Sequence, residues 1–173
     1  MNVKSFDPIS QSDCEILILG TMPGTESLNK GEYYGHPDNV FWDIIIRVLI
    51  PKIDEKEVYK FSYIEKMKLL KSKKIALWDV LKFCDRKGSL DNSIKNEIKN
   101  DFQAFFENHV NIKTILFNGQ KAEKYFKACF SKLEEDLLYK KIILPSTSPS
   151  HTLNTFKKLT LWRNAIINPH NCD

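Results

Sequence analysis

The sequence has no long apolar stretch and no secretion signal. No uninterrupted hydrophobic run approaches the roughly 20 residues that are needed to cross a bilayer. The first residues, MNVKSFDP, have no apolar core of the signal-peptide type. We therefore expect a soluble, cytoplasmic protein that is not associated with a membrane.

Paired cysteine motifs are also missing. The chain has 4 cysteines, which are widely spaced and include no C-x-x-C pair: Cys14, Cys84, Cys129 and Cys172. This spacing fits neither a zinc site nor an iron–sulfur cluster, and a reducing compartment disfavours a disulfide framework. We expect buried thiols, and we expect neither a metal nor a redox cofactor.

No internal repeat, low-complexity tract or linker divides the 173 residues, so we expect one domain over residues 1–173. Hydrophobic residues make up 42% and charged residues 28%, which is typical of a folded protein. The net charge of +4 is compatible with a polyanionic partner and does not prove one.

Short aliphatic and β-branched runs alternate with helical patterns along the chain. The runs are Glu15–Gly20, Lys74–Trp78, Lys113–Phe117 and Lys140–Leu144. Because parallel strands need helical crossovers, this alternation predicts an α/β fold with a parallel sheet and helices on both faces. Such sheets bind ligands beyond the carboxyl ends of their strands, so functional residues should follow Leu19, Trp78, Phe117 and Leu144.

Apolar residues at helical spacing predict the helices. The segment Val40–Leu49 is apolar on nearly every face and should be deeply buried. Asn100-Asp101 provides a possible cap for the next stripe. The predicted apolar stripes are Phe102, Phe105, Phe106 and Val110; Ala122, Tyr125, Phe126, Cys129 and Phe130; and Phe156, Leu159, Trp162 and Ile166.

The loops after the first and last predicted strands are chemically unusual. The first contains GTMPG and leads to Asn39, yet it has neither a G-K-[ST] ending nor a dinucleotide fingerprint. The last, PSTSPSH, offers several hydroxyls that suit phosphate contacts. Ordinary structural alternatives exist for both, because Asn39 could cap the next helix and the serines could cap the last one.

Five segments in order carry a family resemblance: ILILGTMPG, YYGHPDNVFW, IALWDVLKFCDRKGSLD, TILFNGQKA and LPSTSPSH. Together they resemble the uracil-DNA glycosylase superfamily, and specifically its hypoxanthine (deoxyinosine) branch. The resemblance implies a three-layer αβα sandwich around a four-stranded parallel sheet, which agrees with the strand pattern. It also implies hydrolysis of the N-glycosidic bond of a deaminated base in DNA.

Two departures from the superfamily pattern bear on the chemistry. Met22 stands where mismatch-specific relatives have the asparagine of G-x-N-P-G, and Leu144 stands where the uracil enzymes have a histidine. The hypoxanthine branch instead uses the asparagine of its P-x-N-x-F-W segment, which corresponds to Asn39. Since an amide takes no proton near neutrality, we expect Asn39 to orient the attacking water.

The resemblance and the residue chemistry together suggest how the flipped base is bound. Tyr34 would be its aromatic platform, and Asp79 would accept a hydrogen bond from its imide-like N–H. Backbone N–H groups near Met22 and Gly24 would stabilise the leaving base, and Gly35 would leave room for a purine ring. The structural alternatives are a core role for Tyr34 and a cap or a salt bridge to Arg86 for Asp79.

The last loop is expected to hold the DNA, as double-stranded or single-stranded substrate, with no obligate protein partner. Ser146 and Thr147 would bind phosphates, Ser148 and Pro149 would fill the gap left by the base, and His151 would contact the DNA. His36 stays open between a catalytic and a structural role, and Asn118-Gly119 looks structural.

We therefore expect a DNA-repair glycosylase that removes a deaminated base, with hypoxanthine favoured. The nearest rival is a uracil or G/U mismatch glycosylase. A rival of another class is a DNA- or nucleotide-binding module without catalysis, because a fold alone does not fix function.

Overall fold

The computed structural model describes residues 2–89, 93–130 and 139–169. The strands are β1 (Asn2–Lys4), β2 (Ile16–Gly20), β3 (Ile75–Asp79), β4 (Leu81–Asp85), β5 (Lys95–Lys99), β6 (Thr114–Asn118) and β7 (Lys140–Leu144). The helices are α1 (Thr25–Lys30), α2 (Phe41–Leu49), α3 (Glu55–Val58), α4 (Tyr63–Ser72), α5 (Phe102–Glu107), α6 (Gln120–Phe130) and α7 (Thr155–Ile167).

A four-stranded parallel sheet in the order β3-β2-β6-β7 forms the centre of the fold. Every residue of β3 and β6 is buried, as expected for strands that are covered on both faces. Leu19 of β2 lies in register with Trp78 of β3 and Phe117 of β6. The four predicted strands are thus confirmed, each within one residue of its expected bounds.

Aromatic side chains attach two groups of helices to this sheet. On one side the Trp78 ring packs 4.9 Å from Phe105 of α5, and Phe117 packs 5.4 Å from Phe126 of α6. The helices α2, α4 and α7 form the second group, in which Phe41 meets Trp162 edge-on at 5.9 Å. The predicted αβα sandwich is therefore confirmed.

Helix α2 is buried along nearly its whole length, as its composition predicts. Seven of its nine residues are buried. The two that are not, Asp43 and Arg47, lie one turn apart and form an ion pair at 2.8 Å. The helix therefore packs against α7 and α4 within the second group, and its two charged side chains pair with each other.

A second sheet, which the sequence does not predict, joins β1, β4 and β5 in antiparallel order β1-β4-β5. Its strands escape pattern recognition because β5, KNEIK, is almost entirely exposed and polar. Backbone pairing with β4, and not a buried face, holds β5 in place. This sheet places residues 86–89 beside the loop that follows β2.

Two of the predicted apolar stripes are too long. Val110 is 79% exposed because α5 ends at Glu107, and Phe156 is 77% exposed in the first turn of α7. Asp101 caps α5 as expected, accepting a hydrogen bond from the Ala104 N–H at 3.0 Å. The remaining members of the α7 stripe, above all the fully buried Trp162, do face the core.

Cys14 and Cys84 are buried, as expected, and burial raises the pKa of the Cys14 thiol. The Cys129 side chain and Cys172 lie outside the described residues. Across residues 2–89, 93–130 and 139–169, no helix is both long and apolar enough to cross a membrane.

Trp162 ties three elements together and provides a test of the packing. Its ring meets Phe41 of α2, and its Nε1–H donates to the Pro145 carbonyl at 3.1 Å, just after β7. We predict that Trp162→Ala lowers the free energy of unfolding by about 3–5 kcal/mol, measured by urea denaturation. Phe156→Ala, on the same helix but exposed, should change it by less than about 0.5 kcal/mol. Equal effects would contradict this packing.

Candidate active site

A cavity of about 470 Å³ opens at the carboxyl ends of the parallel strands, where the sequence predicts the site. Gly20, Asp79 and Asn118 contribute the last residues of β2, β3 and β6, and Ser146–Ser150 follow β7. The loops after β2 contribute the rest of the lining: Thr21, Met22, Pro23, Gly24, Glu26, Ser27, Tyr33, Tyr34, His36 and Asn39, joined by Ser89 and Lys121.

Thr147 joins three segments that are distant in sequence. The Asn118 amide holds it twice, with Nδ2 donating to Thr147 Oγ1 and Oδ1 accepting from the Thr147 N–H, both at 2.9 Å. The Thr147 carbonyl in turn accepts from the Val40 N–H at 3.3 Å. The Asn39–Val40 segment is thereby fixed to the ends of β6 and β7.

This clamp bears on two expectations. Thr147 has no exposed surface and its hydroxyl oxygen accepts a bond from Asn118, so it holds the loop in place, and a phosphate contact through its O–H stays a prediction. Asn118 has the structural role that the sequence suggests. Asn118 also lines the cavity, although its amide groups are directed at Thr147.

Asn39 is partly buried and lines the cavity. Its Oδ1 accepts a hydrogen bond from the Phe41 N–H at 3.0 Å, which fixes the amide at the start of α2. A carbonyl oxygen has two lone pairs, so one can serve this bond while the other accepts from a water. Asn39 is not the N-cap residue of α2, which is Val40, and its bond to the Phe41 N–H is compatible with the site assignment.

Tyr34 lines the cavity beside Asn39 in a left-handed backbone conformation, with φ of 54°. One face of its ring stacks on Phe41, with centroids 3.9 Å apart and an interplanar angle of 25°. The Trp42 Nε1–H fixes the preceding residue by donating to the Tyr33 carbonyl at 2.7 Å. Tyr34 is therefore a rigidly backed aromatic at the cavity wall, not a fully buried core residue.

The inner end of the cavity is formed by Gly20, Asp79 and the Tyr34 hydroxyl. Asp79 is 3% exposed, and its backbone carbonyl accepts a bond from Asn100 Nδ2 at 2.8 Å. A Cβ on Gly20 would lie 2.8 Å from the Tyr34 hydroxyl oxygen and closer still to Asp79 Oδ1. Gly20 therefore lets both polar groups approach the strand end, a role that the sequence analysis missed although the glycine closes the first predicted strand.

Gly35 does not line the cavity, which corrects its expected role. Its N–H donates to Ser27 Oγ at 3.0 Å, and its carbonyl accepts from Lys30 Nζ at 2.7 Å. A Cβ there would meet Ser27, Lys30 and the Glu32 carbonyl at 3.3 Å. The absence of a side chain at Gly35 thus allows close packing against α1 and adds no space for a base.

The loop Met22–Gly24 is supported by two residues that follow β4, of which Ser89 lines the cavity and Arg86 does not. The Arg86 guanidinium, 2% exposed, donates through Nη2 to the Pro23 carbonyl. Ser89 Oγ accepts from the Thr25 N–H at 2.9 Å. Pattern reasoning missed Ser89, because only the unpredicted second sheet brings it to the site.

The final loop presents its polar groups outward. Ser146 and Ser148 are partly buried, and Ser146 Oγ accepts from the Ser148 N–H at 3.2 Å. Pro149 and His151 are exposed. His151 lines a neighbouring hollow and not the main cavity.

A buried lysine lies beneath that loop. Lys158 of α7 is 3% exposed, and its Nζ donates to the His151 carbonyl at 3.1 Å. A longer contact of 3.5 Å joins it to the Ser148 carbonyl. Desolvation lowers the pKa of this ammonium, and its hydrogen bonds hold the turn between the two carbonyls.

Two further ionisable groups line the cavity. His36 Nδ1 accepts from the Asp38 N–H at 3.1 Å, which leaves the proton of a neutral ring on Nε2. Burial raises the pKa of the Tyr33 hydroxyl above its usual range, and the nearby Asp79 charge raises it further. Tyr33 therefore stays protonated and donates to the Phe6 carbonyl at 3.2 Å. Among the described side chains, no group of three or more His, Cys, Asp or Glu could hold a metal ion.

Comparison with known proteins adds independent information. Residues 7–169 match the family model of the uracil DNA glycosylase superfamily. The chain is 39% identical over 125 residues to a hypoxanthine DNA glycosylase of Methanosarcina barkeri, covering 72% of this chain and 76% of that one. It is 36% identical over 159 residues to a hypoxanthine DNA glycosylase of Methanosarcina acetivorans, covering 92% and 94%.

A solved structure agrees with these matches. The solution NMR structure of a Methanosarcina acetivorans protein, described as a candidate uracil DNA glycosylase, superposes with a TM-score of 0.78. Its sequence is 32% identical, and the match covers 96% of this chain and 97% of that one. The resemblance read from the five sequence segments is thereby confirmed, and the chain belongs to the uracil DNA glycosylase superfamily.

Proposed function

We propose that this protein is a DNA glycosylase that hydrolyses the N-glycosidic bond of hypoxanthine flipped out of DNA. The observation that carries the proposal is the convergence of Asn39, Tyr34 and Asp79 on one cavity. The relatives named hypoxanthine DNA glycosylase support the choice of base. We further propose that it works as one cytoplasmic domain, without an obligate protein partner.

Base recognition follows from the inner end of the cavity. The flipped base stacks on Tyr34, whose other ring face is already backed by Phe41. The Asp79 carboxylate accepts a hydrogen bond from the N–H that hypoxanthine carries beside its carbonyl and that adenine lacks. Adenine instead presents a lone pair at this ring nitrogen, which would face the lone pairs of the carboxylate, so bases without the N–H are rejected.

Hydrolysis needs a water near C1′ and a stabilised leaving group. Asn39, fixed by the Phe41 N–H, holds that water with its free lone pair. The C1′–N9 bond breaks with its electron pair moving to the base, and the water oxygen then bonds to C1′ and releases a proton, which passes through solvent to the base anion. Backbone N–H groups of the Met22–Gly24 loop stabilise the charge on the departing base.

The loop after β7 holds the DNA around the flipped nucleotide. Ser146 binds a flanking phosphate, and His151 contacts the strand from its exposed position. Ser148 and the exposed Pro149 fill the space that the extruded base leaves in the stack. Lys158 keeps this turn in shape from below.

The assignment of Asn39 predicts a selective loss of chemistry. Asn39→Ala should lower the single-turnover excision rate at least about a hundredfold and leave duplex affinity nearly unchanged, because only water orientation is removed. Asn39→Asp keeps an acceptor for both the water and the Phe41 N–H, and it should retain more activity than Asn39→Ala. Met22→Ala should lose much less. A wild-type rate in Asn39→Ala would show that the assignment is wrong.

The assignment of the last loop predicts binding that does not depend on the base. DNA affinity should fall steeply with added salt, since phosphate contacts release counterions. Ser146→Ala should weaken binding to damaged and undamaged duplexes alike. Ser72→Ala, an exposed serine at the end of α4 before β3, is the matched control and should leave both affinities unchanged. A loss confined to one damaged base would contradict a phosphate contact.

The cavity predicts faster release of hypoxanthine than of uracil. A site that accepts a purine can still admit the smaller ring with a weaker grip, so some uracil release should accompany the main activity. Matched duplexes carrying deoxyinosine or deoxyuridine, treated with alkali after single-turnover reactions, measure both rates. Faster uracil release would identify a uracil glycosylase instead, and no strand breakage with either duplex would leave a binding module.

A further inference from the structure

Arg86 contacts the Met22–Gly24 loop from the side that faces away from the cavity. It follows β4 directly, is 2% exposed, and donates from Nη2 to the Pro23 carbonyl. Pro23 and Gly24 line the cavity, whereas Arg86 does not. The buried guanidinium of Arg86 therefore contacts the Pro23–Gly24 peptide bond, and the two residues of that peptide line the cavity.

The geometry of that peptide fixes the direction of its second polar group. No described peptide bond is cis, so the Pro23 carbonyl and the Gly24 N–H point in opposite directions. Because the carbonyl is directed at Arg86, the Gly24 N–H is directed away from Arg86, and Gly24 itself lines the cavity. No acceptor within residues 2–89, 93–130 and 139–169 takes this N–H.

A charged donor on a carbonyl strengthens the N–H at the other end of the same peptide. The guanidinium draws electron density toward the carbonyl oxygen, which makes the amide nitrogen more positive and its proton a better donor. The effect is largest where water is excluded. Gly24 therefore presents a strengthened N–H to the cavity.

We propose that Arg86 is a positioning residue for base excision, acting through the Pro23–Gly24 peptide to stabilise the departing base. As the glycosidic electron pair moves onto the base, the Gly24 N–H donates to the resulting anion. This inference rests on the proposed function, since it needs an anionic leaving base. The Met22–Gly24 loop lacks the asparagine of its relatives, and Arg86 and Gly24 would provide part of the stabilisation of the leaving base.

The segment that follows β4 also fixes the next peptide of the loop. The Thr25 N–H donates to Ser89 Oγ at 2.9 Å, and that hydroxyl donates to Thr25 Oγ1 at 3.0 Å. Two successive peptides of the loop are thus held by residues that follow β4. A donor fixed in advance stabilises developing charge without reorganising during the reaction.

Gly24 allows the N–H to be removed with little change in shape. Its φ of −73° suits proline, and an added Cβ would make only ordinary contacts with Ser89, the nearest at 3.4 Å. Gly24→Pro and Gly24→Ala both add a Cβ, but only proline removes the N–H. Because the proline Cδ also occupies the position of that hydrogen, the pair is combined with an Arg86 substitution, which tells a lost hydrogen bond from added bulk.

The test is a double-mutant cycle read by single-turnover excision from a deoxyinosine duplex. We expect Gly24→Pro to be at least about 30-fold slower than Gly24→Ala, with similar duplex affinity. Arg86→Gln should be about 10-fold slower in the Gly24→Ala background and less than about 3-fold slower in the Gly24→Pro background, because its effect passes through the missing N–H. If thermal melting shows that Arg86→Gln is not folded, Arg86→Met, which is also uncharged, takes its place in the same cycle.

Two results would overturn the proposal: equal rates in Gly24→Pro and Gly24→Ala, or the same Arg86 effect in both backgrounds. A merely structural role for Arg86 would give the second result. An NMR readout separates this inference from the proposed function, because the Gly24 amide proton should shift upfield in Arg86→Gln, or in Arg86→Met where that variant is used, whether or not the wild type excises any base. An unchanged amide shift would refute the polarisation even in an active enzyme.

Discussion

The three hydrogen bonds at Thr147 hold the site together. Polar loops at the ends of buried strands cannot be positioned by hydrophobic packing, and here a buried amide and a buried threonine take that role. Each bond contributes only about 0.5–1.5 kcal/mol net, but a broken one would leave a buried group unsatisfied at a larger cost. The Asn39–Val40 segment and the serine loop are therefore held to each other, and this one residue sets the relative position of the proposed water and phosphate contacts.

The parallel sheet and its site edge could be predicted from the sequence because burial on both faces leaves a strong local signal. In the run that ends at Gly20, the residues Ile16–Leu19 are all aliphatic, and the polar Thr21 follows the glycine immediately. In the edge strand that ends at Leu144, only the last three residues are aliphatic. The antiparallel sheet could not be predicted, since KNEIK is held by backbone bonds that any sequence can make. Phe156 and Val110 fit the helical spacing of apolar residues, but this spacing does not show where packing against the neighbouring layer ends.

Within the site, the resemblance placed Asn39, Tyr34 and Asp79 at one cavity, but the direction in which each side chain points could not be predicted from the sequence. Thr147 and Ser146 are adjacent hydroxyls in the same loop, yet one is fully buried and the other is not. The difference is that Thr147 is held by Asn118, which lies 29 residues earlier in the chain. The packing partner of Gly35 was also predicted wrongly, because the sequence does not show which surface packs against a glycine.

Gly20 limits how the base preference of such an enzyme can evolve. Any side chain at this position would push against both the Asp79 carboxylate and the Tyr34 hydroxyl, which are the groups proposed to read and stack the base. A single substitution there would disturb both functions at once, so it offers no gradual route to a new substrate. A lineage that starts from this sequence must therefore acquire new base preferences at the outer wall of the cavity, where side chains can change one at a time while the inner end stays fixed.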